Sequence, residues 1–331
     1  MPLLFEQWKE EISREEECSK LVNRYSLYAR QLFTAYEPLL RDEPLTDRIF
    51  LGRLDRWLRN WQSDDDRWDA FRFVDHIFFV GSSEFQELFR VAFETNLWGW
   101  VAEDVGGNPA SKATRMTVEV LLKKTWCCPI TDSFRINSFR HFNHIETPDY
   151  FPDWRSLEKF GDKAKIKKYL ADANIERIVL LEDFVGSGNQ ATDAIEFAAS
   201  LGLPVLILPL IIGKRGHAKF SALATKHKNL TYSPVIWLDS NFIVSADAQA
   251  GEADEKTMQR RLISNYAQIT TDSHPYGYEQ AKFSENQGYL VVLYTNCPNN
   301  TVNPIHADLE SQGISGAWTP LFPRSGRAKK K

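Results

Sequence analysis

The segment 178–191 constrains the fold of this chain more than any other part of the sequence. Four apolar residues lead into the adjacent acids Glu182 and Asp183, and then into a loop that contains Gly186 and Gly188. Residues with helical spacing follow at once. A strand, a loop and a helix in this order indicate an α/β fold, in which ligands bind beyond the carboxyl ends of the strands. The segment therefore predicts a ligand site as well as a fold class.

Strands and helices alternate regularly around this segment. Apolar runs predict strands at 177–181, 204–211 and 235–238. One helix is predicted between consecutive strands, at about 189–201 and 214–227. Single-helix connections of this kind indicate a mainly parallel sheet flanked by helices.

The first part of the chain has a different pattern. Apolar residues recur there at three- and four-residue steps with charged residues between them, which predicts amphipathic helices. The length of 331 residues exceeds one minimal domain. We therefore predict a helical N-terminal region at 1–70, an α/β domain at 71–323 and a basic tail at 324–331.

The loop after the acidic pair has the features of a phosphate site. Gly186 and Gly188 allow the backbone to approach a ligand closely. The start of the following helix offers unpaired N–H groups and the positive end of the helix dipole, which favour an anion. Ser187, Asn189 and Gln190 add polar side chains to the same loop. The loop 186–190 therefore predicts a phosphate cradle.

The acidic pair indicates what the phosphate is attached to. Glu182 and Asp183 would repel a phosphate unless they had another task, and vicinal sugar hydroxyls donate the hydrogen bonds that carboxylates accept. Two other interpretations stay open. Glycines and an aspartate also serve turn geometry and helix capping alone. The order Gly-x-Gly-x-x-Ala at 186–191 also fits a dinucleotide-binding fingerprint, but the next predicted strand ends without the acid that such a fold needs.

Residues 178–190 resemble the phosphoribosyl pyrophosphate signature of type I phosphoribosyltransferases. The resemblance lies in a hydrophobic run, an acidic pair, two further residues and a small-residue loop. It implies that Glu182 and Asp183 hold the ribose hydroxyls and that the loop 186–190 wraps the 5′-phosphate. The segment departs from the usual pattern, because Gly186 stands where a threonine is common and Asn189-Gln190 where small and hydroxyl residues are common.

The sequence at 182–190 is more specifically similar to the phosphoribosyltransferase-like proteins of bacterial conflict systems, including those encoded beside retron reverse transcriptases. The stretches 128–133 and 318–324 are also similar to that group. This resemblance implies a role in antiphage defence. The partners that it implies are a reverse transcriptase with its nucleic acid, or another protein of the defence system.

A transferase of this kind needs a second loop for the pyrophosphate and its magnesium ion. One candidate contains Ser82, between a predicted strand and a predicted helix. The other contains Thr131, Asp132 and Ser133, with Arg135 and Arg140 nearby, and arginine forks match pyrophosphate well. The structural alternatives are a helix cap and an ordinary turn. Magnesium is expected to be bridged through the ligand phosphates, and no protein metal site is predicted.

Two functions are consistent with these features. The first is an enzyme that binds phosphoribosyl pyrophosphate or a related nucleotide and transfers or cleaves the ribosyl group at its anomeric carbon. The second is a catalytically inactive, nucleotide-sensing module that partners a reverse transcriptase and its nucleic acid. The sequence identifies no general base for an acceptor, which keeps the second hypothesis open.

Composition narrows the setting of the protein. The net charge of −4 argues against a whole-protein field that attracts nucleic acid. The four cysteines lack the spacing of a zinc site or a disulfide framework, which suits a reducing compartment. The N-terminus does not have the pattern of a signal peptide, and no apolar run is long enough to span a bilayer. We therefore expect a cytoplasmic protein without membrane contact.

Overall fold

A computed structural model describes residues 3–40, 47–145, 162–248, 251–283, 286–307 and 318–324. The chain forms two compact units: Met1–Phe85 together with Ser240–Lys331 is the first, and Gln86–Asp239 is the second. The domain boundaries predicted at residues 70 and 323 stay a prediction. The predicted basic tail lies outside the described residues except for Arg324.

A five-stranded parallel sheet forms the centre of the second unit. With strands numbered along the chain, its members are β2 (Thr125–Pro129), β3 (Arg177–Val185), β4 (Val205–Ile212), β5 (Leu230–Tyr232) and β6 (Ile236–Trp237). The order is β2-β3-β4-β5, and β6 pairs with β4 beyond the end of β5. All four pairings are parallel. The predicted α/β fold with a mainly parallel sheet is confirmed.

Helices cover the sheet of the second unit, and every residue of β3 and β4 is buried. Burial on both faces explains why these strands are nearly continuous apolar runs instead of alternating ones. The helices of this unit are Ser82–Val91 (which begins in the first unit), the π-helical turn Ala92–Leu97, Trp98–Val105, Lys112–Leu122, Ile136–Phe142, Lys163–Asp172, Thr192–Ser200 and Lys214–Lys226.

The first unit is mainly helical, which confirms the predicted helical N-terminal region. It contains two small sheets: β1 (Phe78–Val80) pairs in parallel with β9 (Val291–Leu293), and β7 (Ile243–Ser245) pairs antiparallel with β8 (Gln287–Tyr289). Its helices are Leu4–Trp8, Glu15–Gln31, Glu37–Leu40, Asp47–Leu58, Asp64–Phe73, Asp254–Thr270, Tyr278–Phe283 and Asn303–His306, with 3-10 turns at Phe33–Ala35, Val74–His76 and Ser240–Phe242.

The segment 318–324, which we call the C-terminal strap, packs into the core of the first unit. Trp318, Leu321 and Phe322 are buried there. Arg53 donates to the carbonyls of Pro320 and Leu321 at 2.8 and 2.7 Å. The stretch 318–324, one of the two that are similar to proteins of bacterial conflict systems, therefore has a structural role in the first unit.

Candidate functional site

The acidic pair lies in β3, just past the point where its neighbour β2 ends. The β2–β3 pairing stops at Pro129 and Leu181, whereas the β3–β4 pairing continues to Val185 and Ile212. The predicted end of this strand at residue 181 was therefore wrong, because the pairing with β4 holds four more residues in the sheet. Glu182 and the residue after it consequently have a strand on one side only.

The loop that follows β2 occupies the open side of β3 and contacts both acids. Thr131 donates its backbone N–H to Glu182 Oε2 at 3.0 Å and its hydroxyl to Glu182 Oε1 at 2.6 Å. Ser133 donates its hydroxyl to Asp183 Oδ1 at 3.0 Å, and that oxygen also accepts from the N–H of Phe184 at 2.8 Å. Neighbouring residues of a strand point to opposite faces. Because β2 ends opposite Leu181, no strand pairs with β3 on that side at Glu182 and Asp183, and both side chains reach the loop that follows β2.

Two hydroxyls and two carboxyls form a continuous cluster of oxygens. The Thr131 and Ser133 hydroxyl oxygens are also 2.6 Å from each other. Beyond this contact, Thr131 reaches Glu182, and Ser133 reaches Asp183 at 3.0 Å and Glu182 Oε1 at 3.5 Å. These contacts outnumber the two hydroxyl protons that could fill them. A proton on one carboxyl group fills a further contact, so the geometry favours a pair that holds one proton.

The environment of Glu182 and Asp183 also favours the protonated form of their carboxyl groups. Glu182 and Asp183 are 5% and 6% exposed. Burial raises the pKa of both carboxyls, because it disfavours their charged forms, and the charge of Asp183 raises the pKa of Glu182 further. The hydrogen bonds from the Phe184 N–H and from Ser133 oppose the rise in the pKa of Asp183.

The predicted phosphate loop is held in place by the helix that follows β4. The carbonyl of Gly186 accepts from the N–H of Gly216 at 2.9 Å. A Cβ on Gly216 would lie 2.7 Å from Val185 Cγ1, so only glycine allows this helix so close to the loop. Within the loop, the hydroxyl of the buried Ser187 accepts from the N–H of Asn189 at 3.2 Å. The loop is therefore a rigid connection into the helix Thr192–Ser200.

Gly188 has a structural reason to be glycine. Its φ of +77° lies in the left-handed region, and a Cβ there would lie 2.9 Å from Phe220 Cε1. Positive φ disfavours any side chain, and the phenyl ring adds a steric clash. The requirement for glycine at this position thus comes from the protein itself, whether or not a ligand also approaches the loop.

A Gly188→Ala variant tests this account. We expect the free energy of unfolding to fall by about 1–3 kcal/mol, because the variant combines backbone strain with a clash. Urea denaturation measures the loss. Gly202→Ala is the matched control, since Gly202 has a similar φ of +87° and a Cβ there would have no atom within 4 Å. Equal losses in the two variants would show that the Phe220 contact contributes nothing.

The structure brings some of the predicted site residues together and leaves others apart. Ser133 contacts the acidic pair, whereas Asp132 is exposed beside it and Arg135 is exposed at the start of the helix Ile136–Phe142. Ser82 lies in the first unit as the first residue of its helix. Within the cradle, Gln190 is exposed.

Thr131 belongs to the second predicted pyrophosphate loop, and its hydroxyl lies 2.6 Å from Glu182 Oε1. Its position directly after a predicted strand and beside Ser133 placed it in that loop, but its contact with the acidic pair was not predicted. Lys219 was not among the predicted site residues. Its Nζ contacts the Asn189 side chain from the helix Lys214–Lys226.

Metal and membrane features are absent from the described ranges. These residues contain no group of three or more His, Cys, Asp or Glu side chains that is arranged to hold a metal ion. None of their helices has both the length and the apolar character needed to cross a bilayer. All four cysteines are buried and free of disulfides.

A parallel sheet that carries an acidic pair and a glycine-bracketed loop at its carboxyl edge defines an α/β protein of the open-sheet class, in which ligands bind beyond the carboxyl ends of the strands. The chain belongs to the PRTase-CE family, whose model matches residues 54–324. It is therefore a phosphoribosyltransferase-like protein. No curated protein and no solved structure matches the chain significantly.

Proposed function

We propose that this protein binds the ribose 5-phosphate part of phosphoribosyl pyrophosphate, or of a related nucleotide, and transfers or cleaves its ribosyl group. The observation that carries the proposal is the contact of Glu182 and Asp183 with two hydroxyl groups. A carboxyl pair that already accepts from two neighbouring hydroxyls has the spacing to accept from the 2′- and 3′-hydroxyls of a ribose. In the ligand-bound state the ribose replaces the hydroxyls of Thr131 and Ser133.

The loop 186–190 then binds the phosphate at the other end of the sugar. It follows Val185 directly and leads into the helix Thr192–Ser200, whose first N–H groups favour an anion. The rigid anchoring of the loop by Gly216 means that little conformational entropy is lost when the phosphate binds.

The chemical step proposed here is a substitution at the anomeric carbon. The bond from that carbon to the pyrophosphate breaks, the pyrophosphate leaves with the bonding electrons, and a nucleophile or water forms the new bond. The transition state has oxocarbenium character, so the protein acts by holding ribose and leaving group in line. Asp132, Ser133 and Arg135, which follow β2 at the same sheet edge, are the proposed pyrophosphate residues.

Magnesium is the cofactor that this proposal requires. The described residues supply no cluster of ligands for it, so the phosphate oxygens of the ligand are the proposed main ligands. Bound there, the ion would neutralise charge on the leaving pyrophosphate.

The proposed setting is antiphage defence of the retron type, in the cytoplasm. It rests on the similarity of 182–190 to the phosphoribosyltransferase-like proteins of bacterial conflict systems. A second candidate function in that setting is a nucleotide sensor that partners a reverse transcriptase and its nucleic acid. The observation that favours it is the contact of Thr131 and Ser133 with the acidic pair, because a ribose that takes their place would change the conformation of that loop.

One experiment separates these functions. The full-length protein is incubated with magnesium and either phosphoribosyl pyrophosphate, ribose 5-phosphate or NAD, and pyrophosphate release and thermal stability are measured. We expect both phosphoribosyl compounds to stabilise the protein, by about 2.7 kcal/mol at 100 times the dissociation constant.

Each outcome has a defined meaning. Pyrophosphate release supports the transferase, and stabilisation without release supports the sensor. Stabilisation by NAD alone supports the dinucleotide interpretation, which β4 disfavours because it ends at Ile212 before Gly213 and Lys214, without an acid. If neither phosphoribosyl compound stabilises the protein, the proposal fails.

A further inference from the structure

Lys219 lies against the predicted phosphate loop although it is far from it in the sequence. The helix Lys214–Lys226 places its Nζ in contact with the side-chain oxygen of Asn189. Its stem also lines the loop, because Lys219 Cδ is 3.5 Å from the position that a Cβ on Gly188 would occupy. The lysine therefore follows the loop along its length and ends at its polar tip.

No described acidic side chain neutralises the charge of Lys219. Across the part of the chain that the structure describes, Lys219 has no carboxylate within ion-pair distance, and its polar partner is the neutral amide of Asn189. Lys226 on the same helix shows the usual arrangement, with its Nζ 2.6 Å from Glu196. A half-buried ammonium whose partner among the described residues is an amide is suited to an anion that arrives from outside.

Acidic side chains lie near both ends of the loop 186–190, so a phosphate there needs a nearby positive charge. Glu182 and Asp183 lie at one end of the loop, and Asp193 lies in the first turn of the helix that follows it. Carboxylates at both ends oppose the binding of a phosphate dianion. The helix N-terminus supplies only about half of a positive charge. A full positive charge beside the loop is needed to offset them.

We propose that Lys219 binds the phosphate group of the ligand, and that Asn189 holds the lysine in place while the loop is empty. The inference rests on the proposed function and makes it more specific. It predicts that the ligand is a sugar with a phosphate monoester and not an unphosphorylated nucleoside. One ammonium proton stays on the Asn189 oxygen, and the other two are donated to phosphate oxygens.

A crossed set of variants and ligands tests the inference. The probes are ribose 5-phosphate and inorganic phosphate, and calorimetry measures the affinity of the full-length protein for each. Lys219→Met keeps the aliphatic stem and removes the charge, so we expect both affinities to fall about 10- to 100-fold. The salt dependence of binding should also weaken. Asp183→Asn is expected to lower the affinity for ribose 5-phosphate but not for inorganic phosphate. Lys226→Met, the control on the same helix, is expected to lower neither affinity.

The pattern distinguishes a failure of this inference from a failure of the proposed function. If Lys219→Met binds both probes as tightly as the wild type, the role of Lys219 is overturned while the proposed function stands. If Lys219→Met weakens both probes but Asp183→Asn has no effect, the phosphate role stands and the ribose grip fails. If the wild type binds neither probe, both are overturned. Circular dichroism spectra that match the wild type confirm that each variant is folded.

Discussion

An Asp183→Asn variant is expected to lose affinity for ribose 5-phosphate while it becomes more stable at neutral pH. Asparagine has nearly the same shape as aspartate and keeps an oxygen that accepts from the Phe184 N–H and the Ser133 hydroxyl. It lacks the charge and the second acceptor oxygen for a ribose hydroxyl. Because a hydrogen bond to a charged group contributes about 1.5–3 kcal/mol, the affinity should fall about 10- to 100-fold.

The gain in stability follows from the direction in which burial moves the pKa of each acid. Burial raises the pKa of both Asp183 and Glu182 above the values of the unfolded chain. For such acids, stability is fully present below the unfolded pKa, which is near 4, and is lost as the pH rises through the folded pKa. A tenfold difference in the acid dissociation constant between the folded and unfolded states corresponds to about 1.4 kcal/mol. The variant avoids the part of this loss that Asp183 causes, and it also removes the repulsion that Asp183 exerts on Glu182.

Urea denaturation of both proteins between about pH 4 and pH 8 tests this prediction. The stability difference in favour of the variant should be smallest near pH 4, where the buried carboxyls are protonated and those of the unfolded chain have only begun to ionise, and largest near pH 8. Asp272→Asn is the control, because Asp272 is a buried acid of the first unit that accepts from the His274 N–H and from Asn303 at 2.8 and 2.7 Å. It should leave ligand affinity unchanged. Unchanged affinity in Asp183→Asn would refute the ribose grip.

The local parts of the site could be predicted from the sequence, and the parts made by long-range contacts could not. The acidic pair and the loop 186–190 lie on one continuous strand–loop–helix unit, so their proximity follows from chain order. Thr131 reaches Glu182 only because β2 ends opposite Leu181 while β3 continues. That register is a property of pairing between strands about 50 residues apart, which apolar patterns do not specify.

The helical first unit shows the same division. The apolar spacing predicts amphipathic helices there, and one of them, Asp47–Leu58, buries Phe50, Leu54 and Trp57. The charged residues between the apolar ones would be expected to face solvent, but Arg53 instead donates to carbonyls of the C-terminal strap, 267 and 268 residues away. A helical pattern predicts which face of a helix is buried, but it does not predict which distant segment packs against its other faces.

The strap provides the prediction with the largest expected effect on stability. Trp318 is 8% exposed and packs edge-on against Trp61 and Tyr266, with ring centroids 5.1 and 4.7 Å apart. Its indole N–H donates to the carbonyl of Pro304 at 3.1 Å. Trp318→Ala removes these contacts and leaves a cavity, so we expect the free energy of unfolding to fall by about 3–5 kcal/mol.

Two further variants show which property of Trp318 matters. Trp318→Phe keeps a ring but loses the N–H, and we expect a loss below about 1.5 kcal/mol, because the indole N–H of Trp57 still donates to the Pro304 carbonyl at 2.8 Å. Trp237→Ala is the control for removing an indole, since Trp237 is 59% exposed, and its loss should be below about 1 kcal/mol. Urea midpoints at an unchanged slope measure all three losses. A Trp318→Ala loss no larger than that of Trp237→Ala would contradict a packed strap, and would show that the core of the first unit closes without residues 318–324.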